Sequence, residues 1–257
     1  MSWEVPARHN DILKTLVKRV NADPELAQLY RSANVNAVDR SGMSDHGEVH
    51  VRIVANAALR LLRLLAEAGV TPSVVRDHGL SQEDAEVIVV LAACLHDIGI
   101  AVHREDHERY SLALAYPKVR QLLGGLYLEP KLTIVTMETL HAIVAHRWDA
   151  RCLTIEAGVV KVADALDMTE GRSRIPYQAG QVNIHSVSAL AVKSVQIERG
   201  DERPVRIEVL LSDSAGIFQI DELLRRKLQS STLLPYVEVL AWLGKGTERQ
   251  LFKVYRW

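Results

Sequence analysis

Apolar residues recur at helical spacing, every three or four positions, up to about residue 170, and then partly at every second position. The helical stretch is punctuated at VTPS (70–73), YP (116–117), GG (124–125) and EP (129–130), so it predicts several helices and no strands. GRSRIPYQAG (171–180) reads as loop. Beyond it VKSVQIE (192–198) and VRIEVLL (205–211) alternate as strands, with RGDERP (199–204) as the turn of a hairpin. DSAGIFQIDELLRRKLQ (213–229) returns to helical spacing, with Ile217, Ile220, Leu224 and Leu228 on one side, before YVEVLAWL (236–243) and LFKVYRW (251–257) read as two more strands. The chain is therefore mainly α: a helical bundle domain over 1–180, then a small α+β domain of ββαββ order over 181–257 suited to dimerisation or ligand recognition.

Several polar residues break the apolar pattern at informative places. In SDHGEVHVRIVANAALRLLRLL, Asp45 is placed to cap a helix, with Glu48 completing a capping box. Stepping on from His50 by three and four gives Val54, Ala57, Ala58, Leu61 and Leu65, so His50 extends the core-facing stripe. The next helix starts at Ser81, with Asp84 three residues on, and its interior AEVIVVLAACL is apolar on nearly every side. Gly99 is expected to stop it. His96 and Asp97 thus fall in the last turn of a buried helix, where the negative end of the macrodipole disfavours another carboxylate unless a cation accompanies it. A third helix, Leu153 to Met168, buries Ile155, Val159, Val162 and Leu166 and sets Asp164 off that stripe. His103, His107, His141 and His146 lie between these helices, and eight of the ten histidines fall from His46 to His146.

A lone buried histidine is more often a hydrogen-bonded core residue, which is the reading for His9, His78 and His185. Asp167 reads as surface charge near a helix end, and RRK (225–227) as the exposed side of an amphipathic helix. Taken together, His50, the His96–Asp97 pair and Asp164 form a mixed nitrogen and oxygen ligand set for a metal. The formal net charge of −1 gives no general attraction to nucleic acid or anionic membrane, and no apolar run reaches the length of a membrane span. The amino terminus lacks the layout of a signal peptide, so a cytoplasmic protein is expected. Cys94 and Cys152 are too few for a disulfide framework or a cysteine zinc site.

HxxxVA (50–55), LHDIG (95–99) and VADALD (162–167), in that order on helices, resemble the HD superfamily of metal-dependent phosphohydrolases over roughly residues 40 to 170. The resemblance implies a helical bundle holding one or two divalent ions (Mn, Fe, Ni, Mg or Zn). Asp97 would bridge them and His50, His96 and Asp164 would complete the first site. Among ligands for a second ion His107 and His146 rank first, His141 next, and His103 and His46 last. Ile100 stands where the cyclic-dinucleotide phosphodiesterases carry lysine and where the deoxynucleoside 5′-monophosphatases carry glutamate, and the acidic residues of the alarmone branch are absent. The text DHGEVH, HREDHERYS and GRSRIP resembles instead an uncharacterised prokaryotic branch of HD hydrolases.

The implied activity is hydrolysis of a phosphate ester, of a nucleotide or a related small phosphorylated substrate, by a metal-activated water. Lys161, Arg104 and Arg147, with Arg172 and Arg174 as a phosphate clamp, are the cations expected to serve it. His103 or His141 is expected to protonate the leaving oxygen. A second reading, from another class, is a nucleotide-sensing or regulatory protein that binds without turnover and associates through its tail, whose strand edges suit a homodimer.

Overall fold

The computed structural model describes residues 4–169, 184–245 and 248–257. Ser81 and Asp84 close a capping box at the start of the central helix α5 (Gln82–Leu95), each side chain accepting the other's backbone N–H. Every residue from Asp84 to Leu95 is buried, so the helix is packed on all sides. Helices α1 (Asp11–Ala22), α3 (Glu48–Glu67), α7 (Lys131–Ala145) and α8 (Ile155–Ala165) pack against it. α2 (Pro24–Asn34), α4 (Ser73–His78) and α6 (His107–Leu123) complete the bundle. No helix among the described residues is long and apolar enough to cross a membrane.

Local details differ from the sequence reading at four places. The N-cap of α3 is Gly47, not Asp45, and Glu48 makes no capping box. Asp45 still serves the helix, because its Oδ1 accepts the N–H of Gly47 and of His50. Gly99 does not stop α5, which ends at Leu95, and it lies in a 3₁₀ turn, Ile98–Ala101. What requires glycine there is close packing, since a Cβ would fall 2.1 Å from the His107 carbonyl oxygen and 2.4 Å from the Ser111 nitrogen. α6 runs through Pro117, held by buried Ala115, Val119 and Leu122 on either side of it. The third helix is shorter than expected, because Thr154 caps it and its last regular residue is Ala165.

The tail adds a short helix, α9 (Ile184–Leu190), and a four-stranded sheet of β1 (Val192–Arg199), β2 (Val205–Leu211), β3 (Val237–Lys245) and β4 (Glu248–Tyr255) in that spatial order. β1 and β2 form the expected hairpin, with Val195 opposite Val209 and Ile197 opposite Ile207. β2 and β3 run parallel, so the chain between them must cross over. It does so through a 3₁₀ turn, a π-helical stretch (Gln219–Leu224) and α10 (Arg225–Gln229), where the sequence spacing predicts one continuous helix. β2 buries Val205, Ile207, Val209 and Leu211 on one face. These residues belong to the same continuous apolar cluster as α3, α5 and α8.

Candidate metal centre

Five helices bring polar side chains together at one place in this apolar cluster. α3 brings His50 inward on the stripe it shares with Val54, Ala58, Leu61 and Leu65. The C-terminal end of α5 delivers His96 and Asp97, the first turn of α6 His107, the end of α7 His146, and the last turn of α8 Asp164. All but Asp164, which is 13% exposed at its side chain, are buried.

The donor atoms lie on two sides of one carboxylate. His50 Nε2 lies 3.4 Å from Asp97 Oδ2 and 3.4 Å from Asp164 Oδ1, and His96 Nε2 lies 3.3 and 3.7 Å from the same two oxygens. On the other side, Asp97 Oδ1 is 3.0 Å from His107 Nε2 and 3.6 Å from His146 Nε2. Asp97 therefore faces one group with each oxygen. His50, His96 and Asp97, and likewise Asp97, His107 and His146, are triplets of donors within 4.8 Å of one another, and a third such triplet, His96, His146 and Asp164, spans the two sides.

The outer nitrogens decide what these rings present to the centre. His96 Nδ1 is 2.9 Å from the Ala93 carbonyl and His146 Nδ1 2.5 Å from the Ile143 carbonyl, and a carbonyl only accepts. His50 Nδ1 is held at 2.7 Å by Asp167 Oδ2. Each of these nitrogens carries a proton, so each ring, when neutral, presents the lone pair of Nε2 inward. His107 Nδ1 meets both the carbonyl and the guanidinium of Arg104, at 3.1 and 2.7 Å. His50 Nε2 and His96 Nε2 then stand 3.2 Å apart, and His107 Nε2 and His146 Nε2 3.3 Å apart. Two unprotonated Nε2 atoms at that distance repel, so each pair needs either a proton on one ring or a metal ion against both. The donors, four imidazoles with carboxylates, suit a first-row divalent ion.

The electrostatics describe the same demand. Burial alone would push the His96 imidazole down, but the carboxylates of Asp97 and Asp164 override it and hold it up at about 10. Burial would raise Asp97, yet the surrounding histidines keep it well below the usual carboxylate range. Asp164 is likewise held low against burial, first by Lys227 and then by His50 and His96. Burial lowers His146, with Asp97 opposing.

Other residues singled out in the sequence are not among these clustered donors. His141 Nε2 accepts the N–H of Leu153, facing the α7–α8 connection. His103 is exposed, with Nδ1 accepting the N–H of Glu105, and His46 holds the Ser44 carbonyl beside His50. Arg147 forms a surface pair with Asp149. Lys161 is fully buried, and its ammonium binds the Ala150 carbonyl and, at 2.8 Å, Ser230 Oγ, so it points toward the tail. Arg172 and Arg174 lie outside the described residues.

Two participants escaped the sequence reading. Asp167, read there as surface charge, is buried against His50, and the available signal was its position one helical turn after Asp164. Lys227, read there as an exposed charge, pairs with Asp164 Oδ2. Nothing in its local sequence marks it, since the pairing joins positions 63 residues apart.

The family profile of the HD domain matches residues 43–169, the segment that supplies all six converging ligand candidates. An uncharacterised protein of Methanocaldococcus jannaschii is 47% identical over 223 residues, which covers 87% of this chain and 85% of that one. No solved structure matches the chain.

Proposed function

Because the chain belongs to the HD-domain superfamily, we propose that it hydrolyses a phosphate ester of a small molecule, a nucleotide or a related compound, with divalent ions at the paired histidine and aspartate groups. The observation that carries this reading is the gathering of the Nε2 atoms of His50 and His96 at one oxygen of Asp97 and of His107 and His146 at the other, with the outer nitrogens of His50, His96 and His146 held by acceptors. His50, His96, Asp97 and Asp164 hold the first ion, and Asp97, His107 and His146 the second. Ions so placed supply Lewis acidity to phosphoryl oxygens and an acidified water at neutral pH.

The remaining steps fall to the chain's own groups. Asp97 keeps the two groups in register, one oxygen to each. Asp167 fixes the His50 ring through Nδ1. Arg104, whose guanidinium lies beside His107, is available to phosphoryl oxygens. Between the two histidines considered as proton donors, His103 fits better. Its Nδ1 is an acceptor, so a neutral ring carries its proton on Nε2, whereas the Nε2 of His141 is engaged by Leu153.

The test is a panel of nucleoside mono- and triphosphates, cyclic nucleotides and small phosphomonoesters, assayed with Mn, Mg, Fe, Ni or Zn. Turnover of at least one class is expected, stopped by chelator and abolished in Asp97→Ala. Binding of a nucleotide without turnover in any metal would instead favour a sensor.

A further inference from the structure

The carboxylate of Asp164 has two oxygens with different neighbours. Oδ1 faces the Nε2 atoms of His50 and His96, while Oδ2 is taken by the ammonium of Lys227, which belongs to α10 in the tail, outside the matched segment. The pair is shielded from water, with side-chain exposures of 19% and 13%.

The docking of α10 is built, not incidental. Three residues after Lys227, Ser230 Oγ accepts from the buried ammonium of Lys161 at 2.8 Å, and the Ser230 carbonyl accepts the N–H of Cys152 at 3.0 Å. Thr232 Oγ donates to the Thr154 carbonyl at 2.9 Å, just before α8. Gly158 leaves the room this needs, because a Cβ there would fall 2.2 Å from Thr232 Oγ1. The start and the middle of α8 are thus fastened to the segment that follows Lys227, and the end of α8 carries Asp164.

We propose that Lys227 is a positioning residue of the metal centre, occupying one oxygen of Asp164 so that the carboxylate offers only the other to the ion between His50 and His96. The proposal rests on the reading of these residues as metal ligands. It makes the tail part of the centre, because the helix that carries Lys227 is placed by the tail's crossover. A hydrogen-bonded partner of a ligand of this kind changes metal affinity by about 10- to 100-fold when removed. Here removal frees a second oxygen as well as a charge, so the coordination of the ion must change.

The experiment uses the full-length protein loaded with Co(II), comparing wild type with Lys227→Met, Lys227→Gln and Lys227→Arg. Visible absorption reads coordination, equilibrium dialysis reads affinity, and melting temperature confirms folding. The expected result is a shifted band and an affinity changed about tenfold or more in the Met and Gln variants. Lys227→Arg keeps the donor and retains the wild-type spectrum. Spectra and affinities equal to wild type in Met and Gln, or an Arg variant as altered as these two, would overturn the role of Lys227 while leaving the centre standing. A wild-type protein that takes up no Co(II) would overturn the centre itself, and the role of Lys227 with it.

Discussion

Asp97 is the residue on which both donor groups depend, and His96 shows what the centre costs without an ion. Held up at about 10, His96 carries a proton near neutral pH in the metal-free state, in the place where a divalent ion would accept its lone pair. Binding must displace that proton. Apparent metal affinity should therefore rise by about tenfold per pH unit through the neutral range and level off near pH 10. Calorimetry in buffers of different ionisation enthalpy should detect about one proton released at neutral pH. An affinity independent of pH would count against this picture. Asp167→Ala leaves His50 in place but removes the acceptor of its Nδ1 proton, and should lower metal affinity or activity by about 10- to 100-fold without unfolding the protein. At this scale the clustering of His50, His96, Asp97 and Asp164 was legible in the sequence because three short motifs sit on periodic helices. Asp167 was not, because a carboxylate near a helix end has the same local signature whether it faces water or an imidazole.

Among the elements, α5 was the most legible, since its capping residues and its unbroken apolar interior agree. The turn after it was less so. Glycine after a helix suggests a left-handed cap, whereas Gly99 is there because the first turn of α6 presses its backbone against it. Gly99→Ala should displace that turn, destabilise the protein by about 3 kcal/mol as overpacking does, and weaken the ion held by His107 more than the one held by His50. Metal titration of the variant beside a melting curve separates the two effects, and equal loss at both groups would contradict the assignment. The ββαββ order was readable from alternation and a turn. The parallel pairing of β2 with β3 is a contact between segments distant in the chain, and no local pattern encodes it.

Across the whole molecule, the tail and the bundle share one apolar cluster and a set of polar fastenings around Lys161. The sequence placed Lys161 among the catalytic cations because it lies one turn before Asp164. Its side chain leaves the helix in another direction and is fully buried against Ala150 and Ser230. Lys161→Ala would empty that space and strip two acceptors of their donor, at about 3 kcal/mol, the range of large-to-small core changes. Melting should fall by roughly 6 to 12 °C. A melting temperature unchanged by Lys161→Ala would show that the tail is not fastened there.

The central claim is that side chains from five places in the chain share divalent ions through Asp97. Counting ions per chain by mass spectrometry after equilibration with Mn(II) tests it most directly. Two ions are expected in the wild type and none retained in Asp97→Ala at the same fold stability; a wild type that retains no ion, or a variant that retains as many as the wild type, would contradict it.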